Sequence, residues 1–286
     1  MEKILQWSIA QQSGDKEAIE RVGAPDPKIL QQVFGNGPDE PTLMKQAIVV
    51  VESQDSTQED KEIALENFEM LIENLDNANN IENLKLWNSI INILDETNQD
   101  ELRVLAASII GVAVQNNPKS QEAFAKYPLG LTNLISIILN EKTSSQLLLK
   151  SIFAITSYIR NFEPGYDAFE SNNGWEIINF LKKNHNVKIQ LRLLSLISAI
   201  FSTHSIDKKA SFIHQHNLIE YLLEILKVDS NTTCIEKSIN IINQLNLAGF
   251  KFNEAELIQL QQGLQNIESL LHDLQQDDLN DVKKLV

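Results

Sequence analysis

The chain has 286 residues, of which 43% are hydrophobic, and its formal net charge is −15. This length allows one or two domains, each with a hydrophobic core, or one continuous solenoid. The negative charge argues against nucleic acids and anionic membranes as partners, because both are bound through basic surfaces.

Residues 1–41 differ from the remainder of the sequence. A short apolar segment is followed by two proline- and glycine-containing stretches at 23–27 and 34–41, where long helices are disfavoured. The first ten residues lack the apolar run of a signal peptide, and no stretch approaches the ~20 apolar residues that span a bilayer. We predict a flexible N-terminal arm over 1–41, followed by a helical domain over 42–286. The apolar residues of the arm are Ile4, Leu5, Trp7 and Ile9.

Beyond Pro41 the pattern is helical, and one apolar segment recurs along it. Equivalent apolar positions in the copies are Phe68, Ile110, Ile155, Ile197 and, in a looser copy, Ile241. They are 42, 45, 42 and 44 residues apart. A period of about 40–47 residues with two or three helices is typical of armadillo and HEAT repeats.

Two further elements lie between these long segments. A middle helix ends at an equivalent leucine in each copy, namely at Leu94, Leu139, Leu181 and Leu226. A short helix with aromatic residues precedes each later copy, with Phe124 and Tyr127, Tyr166 and Phe169, and Phe212. Capping-box spacings predict that long helices start at Ser56, Asn98, Thr143 and Thr233.

These patterns together predict an all-α fold. We expect an armadillo-like solenoid, a right-handed superhelix of about four to five three-helix repeats with helical caps, one of them at the C-terminus. No single repeat can bury its apolar face alone, so neighbouring copies must stack.

The sequence lacks the motifs of common catalytic and cofactor sites, so we predict that the protein is not an enzyme and binds no cofactor or metal. The segment 34–38 lacks the Gly-Lys-Ser/Thr ending of a P-loop, and no Gly-x-Ser-x-Gly elbow occurs. His214 and His216 are two residues apart, a spacing that separates side chains on a helix, and we expect ordinary surface histidines. The single cysteine, Cys234, excludes an internal disulfide and fits a reducing compartment; we expect it to be buried or incidental.

An acidic stripe lies on the first long helix. Its residues recur every three or four positions, at Glu59, Glu62, Glu66, Glu69 and Glu73. Both a plain solvent face and a partner-facing stripe fit this pattern. The second interpretation follows from the position of the long helices, which line the inner surface of an armadillo solenoid.

Several segments resemble one protein family. They are 1–10 (MEKILQWSIA), 14–17 (GDKE), 25–28 (PDPK), 38–44 (PDEPTLM) and 67–87 (NFEMLIENLDNANNIENLKLW). They resemble the armadillo-type nucleotide exchange factors of the seventy-kilodalton heat-shock chaperone, Hsp70. The closest group is the fungal Fes type, which is related to the animal Hsp70-binding protein. The resemblance covers nearly the whole chain; it is specific over residues 1–120 and looser in the later repeats.

The resemblance implies a cytoplasmic co-chaperone that acts in protein folding, protein quality control and the regulation of translation. Such proteins bind one lobe of the ATPase domain of cytosolic Hsp70 with their concave face, so that ADP leaves, ATP enters and the client is released. A factor that binds the ADP-poor state more tightly weakens ADP binding by the same factor, and it needs no nucleotide site of its own.

The N-terminal arm resembles the release segment of this family. Ile4, Leu5, Trp7 and Ile9 are accordingly expected to occupy the client-binding domain of the chaperone. A helix that caps the first repeat is the alternative interpretation of the same residues. We expect a monomer that binds neither nucleic acid nor membrane.

The resemblance also places the contacts with the chaperone on the long helices and their ends. Lys150, Arg160 and Arg192 are expected to pair with acidic residues of the chaperone. Ala78 is small and would allow close approach, so a bulky substitution there should clash with the partner. The predicted partner-binding residues are Glu66, Glu69, Glu73, Ala78, Asn79, Lys150, Arg160 and Arg192.

Two other functions remain open at this point. An armadillo scaffold could bind an extended peptide, as nuclear import receptors do with ladders of Trp and Asn. Here the Trp positions hold Glu66, Ser108, Phe153 and Ser195, and the Asn positions hold Met70, Val112, Ser157 and Ala199. The missing ladder argues against clamping of a peptide main chain. An enzyme on a helical scaffold would need a convergent polar pocket.

Overall fold

A computed structural model describes residues 38–272 and 274–286 of the chain. The described part is helical and contains no β-strand. Two helices come first, α1 (Glu40–Glu52) and α2 (Gln58–Ile72). The predicted residues Ile4, Leu5, Trp7 and Ile9 lie outside the described residues, and the predicted domain boundary at residue 41 lies within the first turn of α1.

Four repeats of a short, a middle and a long helix follow α2 within the described residues. The first is α3 (Leu75–Asn83), α4 (Trp87–Ile93) and α5 (Asp100–Val114); the second is α6 (Pro118–Phe124), α7 (Pro128–Leu139) and α8 (Ser145–Ile159). The third is α9 (Glu163–Ser171), α10 (Glu176–Leu181) and α11 (Val187–Phe201). The fourth has a 3₁₀ turn (Ile206–Lys208), then α12 (Ala210–Gln215), α13 (Leu218–Glu224) and α14 (Thr232–Leu247).

The long helices pack against one another in chain order, α2 on α5, α5 on α8, α8 on α11 and α11 on α14. Internal helices are therefore covered on two sides, which explains why α8 buries ten of its fifteen residues. Over residues 44–286 the buried side chains form one continuous hydrophobic cluster. The prediction of an all-α repeat fold with stacked copies is confirmed.

Aromatic side chains of the short helices connect neighbouring repeats. The rings of Trp87, in the first repeat, and Phe124, in the second, are 5.3 Å apart, and within the second repeat the Phe124 ring lies 5.0 Å from that of Tyr158. Further along the chain, the Trp175 ring stacks on Phe212 at 5.3 Å. Such pairs add about 0.5–1.5 kcal/mol to the free energy gained by burying their area. The recurring aromatics noted in the sequence are thus part of the interfaces between repeats.

The turns between helices repeat their backbone conformation. A residue with positive φ follows the long helix at Asn116, Asn161 and His204, and another lies between the short and middle helices at Lys85, Asn173 and Asn217. Asparagine accepts the left-handed region at lower cost than most residues, so the asparagine-rich loops of this sequence suit these turns.

The predicted helix starts are wrong by one or two residues. The residues that cap the long helices are Thr57, Gln99, Ser144 and Asn231. Thr57 forms a true capping box with Asp60 and thereby replaces the predicted pair of Ser56 and Glu59. Neighbouring polar residues compete for the cap, and the one with extended backbone geometry occupies it.

The C-terminal end of the repeats is covered by α15 (Glu254–Asn266), a 3₁₀ turn (Glu268–Leu270) and α16 (Gln276–Lys283). Helix α16 packs on α14 and buries Leu279 and Val282 completely. The Asp278 carboxylate accepts hydrogen bonds from the side-chain amides of Asn240, at 2.7 Å, and Asn243, at 2.8 Å. This is the predicted helical cap. Among the described residues, no helix has the length and apolarity to cross a membrane.

Candidate protein-binding surface

The solvent-facing sides of α2, α5, α8, α11 and α14 are here called the long-helix surface. Sequence patterns placed Glu66, Glu69, Glu73, Lys150 and Arg192 on it. Because successive long helices pack directly on one another, side chains from neighbouring repeats come within hydrogen-bonding distance there. The long-helix surface therefore has its own internal contacts, which decide which groups remain available to a partner.

Glu69, Ser108 and Lys150 connect three successive long helices. The Ser108 hydroxyl donates a hydrogen bond to the Glu69 carboxylate, and the Lys150 ammonium donates to the Ser108 oxygen at 2.8 Å. Ser108 is only 1% exposed, so this chain of hydrogen bonds is shielded at its centre. These hydrogen bonds therefore orient the side chains of two predicted contact residues, Glu69 and Lys150, without a partner protein.

Arg192 lies against an aromatic ring of the preceding repeat. Its guanidinium carbon is 5.1 Å from the centroid of the Phe153 ring. A guanidinium that stacks on a ring keeps its N–H edges free to bind a carboxylate in two-pronged fashion. The structure thus holds Arg192 in a geometry that suits its predicted role.

Arg160 connects two repeats. It caps the C-terminal end of α8, and its guanidinium donates a hydrogen bond to the Ser195 carbonyl at 3.1 Å. Burial lowers the pKa of this guanidinium, although an arginine keeps its charge at neutral pH. Part of its hydrogen-bonding capacity is therefore used within the chain.

Gln121 on α6 also binds the C-terminal end of α8. Its side-chain amide donates to the carbonyls of Ser157, Tyr158 and Arg160 at 3.1, 2.9 and 3.0 Å. The last carbonyls of a helix have no partner within the helix, and a buried one is costly to leave unpaired. Gln121, which is 3% exposed, supplies that partner.

A groove of about 440 Å³ opens on the long-helix surface between α8, α11 and α14. It is lined by Gln146, Leu149, Lys150, Lys188, Leu191, Arg192, Ser195 and Lys237. Four of these residues are basic and none is acidic. We call it the basic groove, and it contains two of the predicted contact residues, Lys150 and Arg192.

The acidic stripe lies at the other end of the long-helix surface, on α2. Glu66 and Glu73 are exposed, and Glu69 is half-buried against Ser108. Two apolar side chains share this side of the helix, since Ile63 is 49% and Met70 69% exposed. The long-helix surface is therefore acidic at α2 and basic at α8 and α11, which contain no acidic residue.

The structure corrects the expectation for Ala78. This residue lies on α3 and is only 3% exposed, so its methyl group packs inside the protein and is not available to a partner. The Ala78 carbonyl accepts a hydrogen bond from Ser120 at 3.2 Å, and the neighbouring Asn79 side chain lies 3.4 Å from the same hydroxyl. A bulky side chain at position 78 would first disrupt the packing of the repeats.

The histidine prediction is half wrong. His214 is exposed as expected, but His216 is 3% exposed and stacks on Trp175 at 5.6 Å. Burial lowers the pKa of His216. In the described part of the chain no cluster of His, Cys, Asp and Glu could hold a metal ion. Cys234 is buried, and burial raises the pKa of its thiol, which makes it less reactive.

Several residues that position the long helices were not identified as such from the sequence. Ser108, Gln121 and Phe153 act through contacts between repeats, and repeat alignment alone does not reveal which side chains meet. Lys188 had a usable signal, because α11, which carries it, contains no Asp or Glu while the whole chain is strongly acidic.

The architecture is that of an armadillo repeat protein. A designed armadillo repeat protein matches with a TM-score of 0.66 at 13% identity, over 86% of this chain and 98% of that chain. An engineered protein matches with a TM-score of 0.68 at 13% identity, over 87% and 95% of the two chains. At this identity the similarity concerns the fold, and it confirms the predicted fold class.

Sequence comparison then identifies the family. Residues 1–81 match the family model described as nucleotide exchange factor Fes1, and residues 77–222 match the SIL1/FES1/HPBP1 C-terminal domain. The Hsp70 nucleotide exchange factor FES1 of Debaryomyces hansenii is 53% identical over the full length of both chains. The protein of the same name from Saccharomyces cerevisiae is 44% identical over 99% of each chain. The chain belongs to the Fes1 family, and the predicted resemblance is confirmed.

Proposed function

We propose that this protein is a nucleotide exchange factor of a cytosolic Hsp70 chaperone. The observation that carries the proposal is its similarity to FES1 proteins along the entire chain, at 53% identity in one fungus and 44% in another. The long-helix surface supports it, because its two charged regions suit the surface of another protein. In this proposal the protein is a binding partner of the chaperone and has no catalytic role of its own.

The proposed mechanism is thermodynamic linkage. The long-helix surface binds the ATPase domain of Hsp70 more tightly when its nucleotide cleft is open than when ADP holds the cleft closed. By reciprocity, the bound factor weakens ADP binding to the same extent. A tenfold loss of ADP affinity requires about 1.4 kcal/mol of preference for the open state. ATP then replaces ADP and the client is released.

The test is release of a fluorescent ADP analogue from purified cytosolic Hsp70, followed by stopped flow after excess ATP is added. The full-length protein is expected to accelerate release in proportion to its concentration until the chaperone is saturated. Unchanged release, with a protein that is folded by circular dichroism, would remove the exchange-factor proposal. A general armadillo scaffold would then be the better description.

The N-terminal arm supplies a second, separable function in this proposal. Ile4, Leu5, Trp7 and Ile9 give it apolar side chains of the kind that a chaperone client presents. We infer that the arm competes with the client for the client-binding domain of Hsp70. A variant that lacks residues 1–41 should accelerate ADP release normally but release a labelled client peptide more slowly. Equal client release by the two proteins would contradict this assignment.

A further inference from the structure

The third and fourth repeats meet at a stack of three aromatic rings. The indole of Trp175, at the start of α10, lies against Phe212 on α12 and His216 at the C-terminal end of α12. The two ring centroids are 5.3 and 5.6 Å from that of Trp175, and the ring planes differ by only 7° and 21°. Because Phe212 and His216 are four residues apart, both side chains lie on one side of α12. One of the three rings in this contact can therefore take up a proton.

The surroundings of the His216 ring disfavour its charged form. The residue is 3% exposed, and its Nδ1 atom is buried with no hydrogen-bond partner among the described residues. A neutral imidazole can leave one nitrogen without a proton, whereas an imidazolium carries an N–H group at both nitrogens. Protonation would therefore bury a positive charge and an unpaired donor, which is costly. Burial accordingly lowers the pKa of His216 below the ordinary histidine value.

The groups next to the ring do not reverse this effect. The Lys182 ammonium donates a hydrogen bond to the His216 carbonyl at 2.9 Å, and its charge opposes a second positive charge on the same residue. Glu176 favours the charge, but it is exposed, so water and salt screen its carboxylate. A cation on the face of Trp175 would gain an attraction to the ring, although this gain is smaller than the cost of burying an unpaired charge. The other charged groups around α12 are Lys208 and Lys209 beside His204, and Glu220 and Glu224 in the cleft with Lys182.

The other two histidines of the fourth repeat face carboxylates. His204 lies 2.8 Å from Asp167 and 3.3 Å from Glu163, and His214 lies 4.0 Å from Glu256 on α15. A proton on either ring would be attracted by these neighbours and would strengthen the contacts. The ring in the aromatic stack is therefore the histidine of this repeat whose protonation opposes the contact between repeats.

We propose that His216 makes the contact between the third and fourth repeats acid-sensitive, so that the fourth repeat and the C-terminal helical cap open locally at mildly acid pH. The cap follows the fourth repeat because α15 and α16 pack on α13 and α14. In a repeat protein each unit is stabilised mainly by its neighbours, so one weakened contact can open the end of the array while the earlier repeats stay folded.

The direction of the pH effect follows from proton binding. In the closed state the neutral ring stacks on Trp175, and in the open state it reaches water and takes up a proton. The contact is at full strength above the ordinary histidine pKa of about 6.5. It weakens as the pH falls below that value, because the open state then binds more protons than the closed state.

The experiment measures amide hydrogen exchange of the full-length protein by mass spectrometry between pH 7.5 and 5.5, with rates corrected for the pH dependence of chemical exchange. Peptides from α12, α13 and α14 report on the fourth repeat, and peptides from α5 and α8 report on earlier repeats. The test variant, His216→Phe, keeps a flat ring for the stack but cannot take up a proton. The matched control, His185→Phe, removes an exposed histidine from the loop before α11.

In wild type, protection of the fourth repeat should fall about three- to tenfold over this pH range, as expected for the uptake of one proton on opening. Protection of α5 and α8 should change less than about twofold, since no proton is taken up there. His216→Phe should keep constant protection, and His185→Phe should behave like wild type. An equal fall in His216→Phe, or constant protection in wild type, would overturn the inference.

A second measurement decides the matter if His216→Phe does not fold. An NMR titration of the His216 ring in the folded wild-type protein follows its protonation directly. We expect half-protonation below about pH 6.5, and Glu176→Gln should lower this midpoint further because it removes an attractive carboxylate. A midpoint at or above that of an exposed histidine such as His185 would contradict the proposal.

Discussion

The guanidinium carbon of Arg192, on α11, lies 5.1 Å from the centroid of the Phe153 ring, on α8. The ring belongs to the preceding repeat, so the position of this cation depends on how two neighbouring repeats stack. Phe153 in turn fills space above Gly111 on α5, where a Cβ atom would lie 2.5 Å from two carbons of the ring. Three long helices thereby determine where one exposed charge is presented.

Removal of the Phe153 ring should weaken the contribution of Arg192 to Hsp70 binding without unfolding the protein. Phe153→Leu keeps an apolar side chain but loses the cation–aromatic contact, which is worth about 0.5–1 kcal/mol at an exposed site. We expect the affinity for Hsp70 to fall about two- to fivefold, measured by calorimetry. The same change at half-buried Phe180, which is on α10, should leave affinity unchanged. Equal losses at the two positions would contradict the role of the ring.

Gly111→Ala should destabilise the protein. Alanine in a helix interior normally stabilises by about 1 kcal/mol relative to glycine, but overpacking of a tight contact costs about 1–3 kcal/mol. We expect a net loss of free energy of unfolding in urea and a lower affinity for Hsp70. Phe153→Leu should relieve part of the cost in the double variant. A more stable Gly111→Ala protein would show that the ring moves aside freely.

Gln121→Leu should loosen the end of α8. The substitution removes the donor that serves three carbonyls in a buried place, and an unpaired buried polar group costs about 1–3 kcal/mol. The free energy of unfolding should fall by a similar amount. Gln115→Leu, at an exposed position that ends α5, provides the matched control and should change stability little. Similar values for the two variants would argue against this capping role.

Ala78→Arg should act through stability. The side chain is buried on α3, and a large unpaired cation placed there should cost about 3–5 kcal/mol. Asn83→Arg adds the same side chain at an exposed position of the same helix and should be tolerated. If Ala78→Arg unfolds at the same urea concentration as wild type yet no longer binds Hsp70, the original expectation of a direct clash with the partner is correct.

Lys209 should make the free energy of unfolding rise with pH between pH 8 and the ordinary pKa of a lysine. Its ammonium is buried over the Tyr166 ring, 4.8 Å from the centroid, and burial lowers its pKa from 10.5 to about 8. Between these values the unfolded chain binds more protons than the folded one, so stability increases as the pH rises. From pH 8 to 9.5, wild type should gain roughly 1–2 kcal/mol relative to Lys209→Met in urea unfolding. Parallel profiles for the two proteins would contradict this.

Much of the fold was predictable because repetition is a strong signal. The equivalent apolar positions from Phe68 to Ile241 fixed the period, and the long helices lie where they predicted. Helix starts were less certain, since Thr57 and Ser144 each have a neighbour that is also able to cap.

The candidate binding surface was only partly predictable. Charge and repeat position indicated Lys150 and Arg192, but the burial of Ala78 and His216 depends on packing between repeats. That packing joins residues about forty positions apart, as in the contact of Ser108 with Lys150. Single-helix patterns carry no information on such pairs.

The most direct test of the central claim compares Arg192→Ala with Lys119→Ala in the ADP-release assay, at concentrations of the factor below saturation. The account predicts that wild type and Lys119→Ala accelerate release equally and that Arg192→Ala loses most of the acceleration while its thermal unfolding is unchanged. Full acceleration by Arg192→Ala would contradict the claim that the long-helix surface acts through this cation.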